Sequence, residues 1–275
     1  MGDGMSNFTD FIGGGGGSAS FPTIFLSKSQ TFVPPQDGNI MIHVIGAGGS
    51  GSSGTSQAQT SGAAGGYSRK NSLAVTTSGS FTVVVGAGGA AVSDANGVTG
   101  GNSTVAGTGL SATLTANGGA RGVKGSTSAT SGGTAANGNV NNTGGAGGQF
   151  KGGGAVGLTS TGNAGIALVS EISNLGGSCD IIGDLWSSTL GQIAGGKGGT
   201  GNYALNNLTW PNAQQAGPLA GGGTTHTASG SYNTTLYAGS ASIGGGGGAC
   251  TNTAYGPYAV SGSGGAGLVI VQYIP

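Results

Sequence analysis

Two glycine-rich stretches of this sequence have the letter pattern of nucleotide-binding loops. Residues 46–51 satisfy G-x-G-x-x-G after an apolar run. The dinucleotide fingerprint also needs a helix at the motif and an acid about 20 residues on, but the next acid is Asp94. Residues 191–197 approximate G-x-x-x-x-G-K, yet Gly198 stands where Ser or Thr would hold magnesium. We therefore expect no cofactor.

The ionisable side chains form no recognisable catalytic or metal-binding pattern. His43 lies inside an apolar run, which is typical of a buried sheet histidine, and His226 in a polar stretch is a candidate ligand contact. Two histidines this far apart lack the spacing of metal ligands. Asp180 and Asp184 are four apart, which a solvated helix face explains better than a carboxylate pair for hydrolysis. We expect no catalytic residue, no metal and no enzymatic activity.

The composition narrows the function further. Gly supplies 67 of 275 residues, and only 5 % of the chain is charged, with 7 Lys and Arg balancing 7 Asp and Glu. Ordinary soluble proteins are about 25 % charged. Nucleic-acid binding needs clustered Lys and Arg, so we expect no nucleic-acid partner. The 7 Pro and the irregular glycine spacing exclude collagen, and compact apolar runs favour an ordered fold over disorder.

The sequence shows no signal peptide and no membrane span. Residues 1–20 lack a basic region followed by an apolar stretch, and no apolar run approaches the ~20 residues of a transmembrane helix. We expect no membrane insertion.

Cys179 and Cys250 allow one disulfide or two separate partly buried thiols, and the sequence leaves both alternatives open.

Three apolar, β-branched segments predict strands, at residues 40–45, 81–85 and 268–273. Weaker candidates are 32–33, 72–76 and 110–115. The first two strong segments run into the same tetrapeptide, Gly-Ala-Gly-Gly, and Gly-Gly-Ala-Gly precedes the last. This regularity indicates a repeated structural unit.

Between the strands the commonest texture is Gly-Gly-X, which cannot build a core of side chains. The polyproline II geometry has three residues per turn and no internal hydrogen bonds, so its N–H and C=O groups point outward and need partners. Without side chains, neighbouring helices can approach until their backbones bond. We predict an all-β fold: a small antiparallel β-sheet or sandwich joined to a bundle of left-handed polyglycine II helices, with one or two short helices in an insert.

The order of these motifs resembles the glycine-rich domains of bacteriophage tail fibres over about residues 29–273. The segments that carry the resemblance are 32–35, 44–49, 65–68, 81–89, 100–103, 114–119 and 264–271. In texture the chain is also similar to phage tail-tip adhesins built on polyglycine II sandwiches. The resemblance implies a virion protein, synthesised in the bacterial cytoplasm and carried on the virion surface, and it implies a homotrimer.

Only about 28 residues precede the glycine-rich domain of residues 29–275. We interpret residues 1–28 as an arm that docks the domain onto other virion proteins, and a flexible tail is the alternative. The candidate docking residues are the large apolar side chains of this segment: Phe8, Phe11, Ile12, Phe21 and Phe25.

Three inserts interrupt the glycine texture, at 165–190, 202–219 and 224–240. The apolar spacing of the first fits one or two short amphipathic helices. The other two combine aromatic rings with Asn and Ser, the side chains that bind sugars and protein surfaces. The candidate receptor-contact residues are Tyr203, Trp210, Asn212, His226, Tyr232 and Tyr237, and ordinary anchoring of the loops is the alternative role for them.

The sequence therefore predicts a non-enzymatic phage fibre or adhesin that presents loops to a host surface glycan or outer-membrane protein. The alternative is a purely structural virion component, such as a head fibre or decoration protein, whose inserts contact neighbouring subunits. An ice- or surface-adsorbing protein is a third class, but long inserts interrupt the flat face that it would need.

Overall fold

The computed structural model describes residues 21–55, 58–149, 154, 156, 161–162, 164, 174–178, 197–205, 226–229, 236–241, 243–252 and 259–275. All regular structure in these ranges is β, and none of them contains a helix. Within the first insert, Asn174–Ser178 is a strand, so the helix predicted there does not extend through Leu175. The adjacent Gly176 and Gly177 disfavour helix; the remainder of that insert lies outside the described residues.

Two antiparallel five-stranded sheets form the part of the molecule that we call the base. The first has the order β1 (Thr23–Leu26), β17 (Leu268–Ile274), β3 (Gly38–Ile45), β5 (Tyr67–Val75) and β10 (Val140–Asn142). The second has the order β2 (Gln30–Phe32), β6 (Phe81–Val84), β7 (Ser103–Gly107), β8 (Leu114–Ala116) and β9 (Ala135–Ala136). The three strongly predicted strands are confirmed as β3, β6 and β17.

One hydrophobic core takes side chains from both of these sheets. Alternate residues of β3, such as Ile40 and Val44, are fully buried in it, as are Phe81 and Leu114 of the second sheet. Burial of each such side chain contributes about 1.5–3 kcal/mol. The period of two along the strands is what directs these residues to one face.

β1 belongs to this base. It pairs antiparallel with β17, from Thr23 beside Gln272 to Leu26 beside Val269, and Leu26 is buried in the core. The arm predicted over residues 1–28 therefore overlaps a strand of the sheet. Sequence alone offered little sign of this, because the pairing is with the last strand of the described chain.

Glycine-rich segments continue the base strands outward and return to them. Residues 46–54 follow β3, and residues 59–66 lead back into β5. The same out-and-back path joins β6 to β7 through residues 86–101, and β8 to β9 through residues 117–134. No side-chain core is available to these segments, so backbone contacts must hold them.

The backbone hydrogen bonds of residues 46–53 follow a period of three. Their N–H groups donate in rotation to three neighbouring segments, 60–66, 95–101 and 262–265. The Gly46 and Gly49 N–H groups, for example, donate to the carbonyls of Gly66 and Ala63 at 2.9 and 3.0 Å. Each residue therefore faces a different neighbour from the residue before it, unlike a β-strand, whose period is two.

Three more segments donate to the carbonyls of the same stretch. Gly119 donates to Ala47 at 2.8 Å, Gly89 to Gly48 at 2.9 Å and Gly247 to Gly49 at 2.8 Å. Six segments thus surround residues 46–53, and each residue from 46 to 53 is buried. Residues 60–66 lie in the same way among six neighbours, which are 46–52, 117–120, 130–133, 145–148, 154 and 244–247.

Serine and threonine hydroxyls extend this backbone network instead of interrupting it. The buried Ser50 Oγ accepts the N–H of Val98 at 2.8 Å, and Ser52 Oγ donates to the Thr60 carbonyl at 3.1 Å. Buried hydroxyls are costly unless they are hydrogen-bonded. These two positions meet that requirement with backbone partners.

A further sheet contains parallel strands, which sequence analysis did not predict. Its order is β11 (Asn174–Ser178), β12 (Lys197–Leu205), β13 (His226–Ser229), β15 (Cys250–Asn252) and β4 (Ser53–Gly54), with β12 to β4 mutually parallel. A two-stranded parallel pair joins β14 (Leu236–Tyr237) and β16 (Ala259–Val260).

Gly48 provides a test of the close packing. A Cβ there would overlap the carbonyl group of Gly245, so we expect Gly48→Ala to lower the free energy of unfolding by at least about 1–3 kcal/mol. Without that overlap, Gly-to-Ala would stabilise by about 0.4–1 kcal/mol through the unfolded state. Urea unfolding followed by circular dichroism measures the difference.

Gly79 is the matched control. It is also buried, but its nearest contact for a Cβ is the Thr76 carbonyl at 3.1 Å, and no second atom lies closer than 3.8 Å. Gly79→Ala should stay within about 1 kcal/mol of the wild type. Equal stability of the two variants would contradict packing by backbone approach.

Candidate functional site

The glycine segments give the molecule two distinct ends. The base holds the two antiparallel sheets, and the opposite end, which we call the tip, is where residues 46–54 turn back into 59–66. Residues 93–96 and 125–129 make the corresponding turns of the next two out-and-back paths. Function concentrates in turns that a rigid scaffold presents, so the tip is the candidate site.

The parallel strands reach their carboxyl ends at this tip. In register, Tyr203 lies beside Thr227, Thr227 beside Thr251, and Thr251 beside Gly54, the last residue of β4. Chain segments 206–225, 230–235 and 253–258 follow β12, β13 and β15 directly. Because parallel strands place their carboxyl ends at one edge of a sheet, the carboxyl ends of β12, β13 and β15 lie at the same edge.

Three of the six predicted receptor-contact residues lie in described strands. Tyr203 is in β12, and His226 is in β13 between Asn202 and Cys250 in register. Tyr237 ends β14 and is 63 % exposed. The other three, Trp210, Asn212 and Tyr232, lie outside the described residues.

The tip contains an ion pair that the sequence did not predict. Lys124 Nζ lies 2.6 Å from Asp94 Oδ1 and donates a second hydrogen bond to the Asp94 carbonyl at 3.2 Å. The Lys124 N–H donates to Asn96 Oδ1 at 2.7 Å. Lys124 and Asp94 are 30 residues apart, and only the packing of two separate turns brings them together. The available signal was that each follows an outgoing glycine segment.

The backbone of Asp94 has an uncommon conformation, with φ of 48°. Non-glycine residues rarely adopt positive φ, and Asp is among the few that tolerate it. A Cβ on Gly54 would lie 2.9 Å from Lys124 Cε and 3.3 Å from Asp94 Oδ1. The ion pair therefore packs directly over the end of β4.

The backbone at Tyr237 is held in place by pairing with β16. The Ala238 N–H donates to the Val260 carbonyl at 2.9 Å, and Tyr237 itself lies beside Val260 in register. Val260 also forms an antiparallel bridge with Ser93, the residue before Asp94. An exposed aromatic ring and the ion pair thus lie on neighbouring elements of the tip.

Two of the five candidate docking residues lie in the base, at the other end of the molecule. Phe21, two residues before β1, is 46 % exposed, and Phe25, within β1, is 43 % exposed. β1 is an edge strand of the first sheet. Phe8, Phe11 and Ile12 lie outside the described residues.

His43 is buried in the first sheet, as the sequence predicts. Its Nδ1 lies 2.7 Å from the hydroxyl oxygen of Tyr67. Burial, together with the positive charge of Arg69, lowers the pKa of His43 to about 3. The imidazole is therefore neutral at physiological pH, and it lies in the base, away from the tip.

Cys250 is fully buried beside β4 and β13. Burial raises the pKa of its thiol to about 12, although backbone groups of Val260 and Ala238 oppose the shift. Such a thiol is a poor nucleophile because almost none of it is ionised. Cys179 lies outside the described residues.

Among the described residues, no three His, Cys, Asp or Glu side chains approach closely enough to hold a metal ion. Within the same ranges, the structure contains no helix with the length and hydropathy of a membrane span.

The buried imidazole predicts a pH dependence of stability. Between about pH 6.5 and pH 3 the unfolded chain binds a proton that the folded chain does not, so stability falls as the pH falls through this range. We expect a loss of about 3 kcal/mol at pH 4 relative to pH 7 from this group. Urea titrations at both pH values should show it, and His43→Gln should have a clearly shallower dependence.

Tyr67→Phe is the control, because it removes the hydroxyl partner but keeps the titrating imidazole. It should lower stability at both pH values and retain the pH dependence. The 7 Asp and Glu residues leave little other acid-labile stabilisation to confuse the measurement. A parallel decline of the wild type and His43→Gln would show that the imidazole does not cause it.

A family model described as a glycine-rich domain matches residues 25–274. A comparison with curated proteins found no match. The matched range begins within β1 and ends at the last residue of β17, and so includes the base sheets, the glycine segments and the tip. This chain belongs to the glycine-rich domain family.

Proposed function

We propose that this chain is a non-enzymatic bacteriophage fibre or adhesin protein, carried on the virion surface, whose tip attaches to a bacterial host. Its base would dock onto other virion proteins through the arm, and the assembled form would be a homotrimer. Host surface glycan or an outer-membrane protein would be the receptor.

The observation that carries the proposal is the separation of the two ends. The parallel strands β12, β13 and β15 have their carboxyl ends at the tip, and the exposed phenylalanines near β1 lie at the base. An attachment protein needs such polarity, because its anchored end and its binding end must face opposite ways. Many copies on one particle would raise avidity without tight single sites.

We further propose that the glycine segments are polyglycine II helices and that the two base sheets form a β-sandwich. The three-residue rotation of donors and the six neighbours of residues 46–53 support the helices, since this geometry has three residues per turn. The hydrophobic core shared by both sheets supports the sandwich. At about 3.1 Å per residue, residues 46–54 would hold the tip about 28 Å from the base.

A low content of charge supports a binding protein over an enzyme or a nucleic-acid-binding protein. General acid–base chemistry draws on His, Asp, Glu and Lys, and only 5 % of residues are charged. The described tip offers one ion pair, hydroxyls, amides and an aromatic ring, which suit reversible recognition of a surface.

Blocking the tip tests the proposal. A biotin-acceptor peptide inserted within residues 126–128 of the tip turn, then loaded with streptavidin, should abolish staining of host bacteria by the fluorescent chain. The same peptide inserted at residues 77–78, an exposed turn of the base between β5 and β6, should leave staining intact. Fluorescence-activated cell sorting over a panel of bacteria from the source environment provides the measurement.

The remaining outcomes of this experiment separate the alternatives. Equal loss of staining from both insertions would contradict recognition at the tip. No staining by the unmodified chain, with the host on the panel, would favour a structural virion component whose inserts contact neighbouring subunits.

Binding should depend little on ionic strength. The chain carries no net charge, and the Asp94 carboxylate compensates the Lys124 ammonium at the tip; the nearest further charge along that segment is the exposed Arg121. Because salt acts by screening charges, we expect the apparent Kd on cells to change less than about threefold between 20 and 500 mM NaCl. A steep salt dependence would exclude recognition by uncharged groups.

A further inference from the structure

We propose that the described surface of the tip is a subsite for an uncharged sugar, with Tyr237 as the stacking platform and the Lys124–Asp94 pair as the hydrogen-bonding group. This inference rests on the proposed attachment function. It selects neutral glycan over acidic glycan and protein as the ligand of this surface.

Tyr237 supplies the apolar contact. At 63 % exposure it is the most exposed large apolar side chain of the described residues, and its backbone is fixed beside Val260. Sugar rings have C–H-rich faces that pack against aromatic rings, and a tyrosine offers this surface at low entropic cost, since only two side-chain torsions must be fixed. An exposed ring on a fixed backbone is thus prepared for stacking.

The ion pair supplies a donor and an acceptor side by side. Lys124 Nζ uses two of its three donors on Asp94, at 2.6 and 3.2 Å, which leaves the third for a ligand. Asp94 Oδ2 takes no hydrogen bond from the described residues. Both side chains are partly exposed, at 35 % and 49 %. Adjacent hydroxyls of one sugar could accept from the ammonium and donate to the carboxylate together.

The two features are separated by the length of a short saccharide. Tyr237 and Ser93 lie on opposite sides of Val260, so their Cα atoms are about 10 Å apart at the usual spacing of neighbouring strands. Asp94 follows Ser93 directly. Two linked sugar rings span this distance.

Charge selects the neutral class. The Lys124 ammonium is compensated by the Asp94 carboxylate within hydrogen-bonding distance, so a uronate or sialate would meet the carboxylate as well as the ammonium. Juxtaposed like charges disfavour the wrong partner. A neutral hydroxyl pair meets no such repulsion.

The test is an array of oligosaccharides on a common linker, half of them neutral hexose oligomers and half bearing uronic or sialic acids, probed with the fluorescent full-length chain. We expect binding to neutral members. Tyr237→Ala and Lys124→Gln should each weaken it about tenfold or more, whereas Tyr237→Phe should retain most of it because the ring remains. Val33→Ala, which truncates an exposed apolar side chain directly after β2 in the base, is the matched control and should bind as the wild type does.

Each other result overturns the inference in a recognisable way. Neutral binding that survives Tyr237→Ala and Lys124→Gln would place the sugar elsewhere. Binding to acidic members alone, or to cells through an outer-membrane protein alone, would exclude neutral sugar while the attachment function stands. Absence of both array binding and cell staining would reject the attachment function together with this subsite.

Discussion

The fold depends on one interaction, the hydrogen bond between glycine backbones that approach without side chains between them. Residues 46–53 and 60–66 each bond to six neighbouring segments, and a single added Cβ at Gly48 or Gly62 would overlap a carbonyl group. Glycine is required at these positions because any side chain would overlap a neighbouring backbone. The same residue makes the unfolded chain more flexible and therefore more costly to order, so the network must form almost completely to offset that entropy.

The base sheets explain how such a network can form at all. Their core buries large side chains such as Ile40, Phe81 and Tyr273, which contributes the hydrophobic stabilisation that glycine cannot provide. Each of the three out-and-back paths begins and ends at strands of these sheets. The sheets therefore fix the lateral positions of the segments, and once two neighbours are in register, each further hydrogen bond forms at a position already set by the last.

The sequence revealed the parts of this fold that depend on local side-chain pattern. β3, β6 and β17 are apolar, β-branched runs with at most one or two polar residues, a pattern typical of strands. The parallel strands were missed because Lys197–Leu205 and His226–Ser229 contain glycine and polar residues without apolar alternation. They exist through pairing with distant segments. At Leu175 the opposite error occurred. The apolar spacing predicted a helix, whereas Leu175 lies in a strand and is followed by two glycines that disfavour helix.

The sequence reveals some residues of the candidate site and not others, for a related reason. Aromatic residues in the inserts can be read directly from the sequence, whereas Lys124 and Asp94 are ordinary charged residues until the register of two glycine segments is known. That register is set by bonds among residues that carry no side-chain information, such as Gly97 to Gly122 and Gly122 to Ser50. Because the paired segments consist largely of glycine, the sequence contains no residue pattern from which their register could be predicted.

The backbone network also separates glycine positions that cannot be substituted from turns at the tip that can change in sequence. Glycine positions inside the network, such as Gly48 and Gly62, admit almost no added atom, because a Cβ there meets a backbone carbonyl. Gly125, at the turn beside Lys124, has no atom within 4 Å of the position that a Cβ would take, so space at the tip is open, while its own φ of 74° favours glycine at that one position. Turns can therefore lengthen or change composition without disturbing the bonds below them, since loop closure costs only about 0.6 kcal/mol per doubling of length. A rigid backbone lattice with open turns is thus a scaffold on which binding residues can change while the fold is kept.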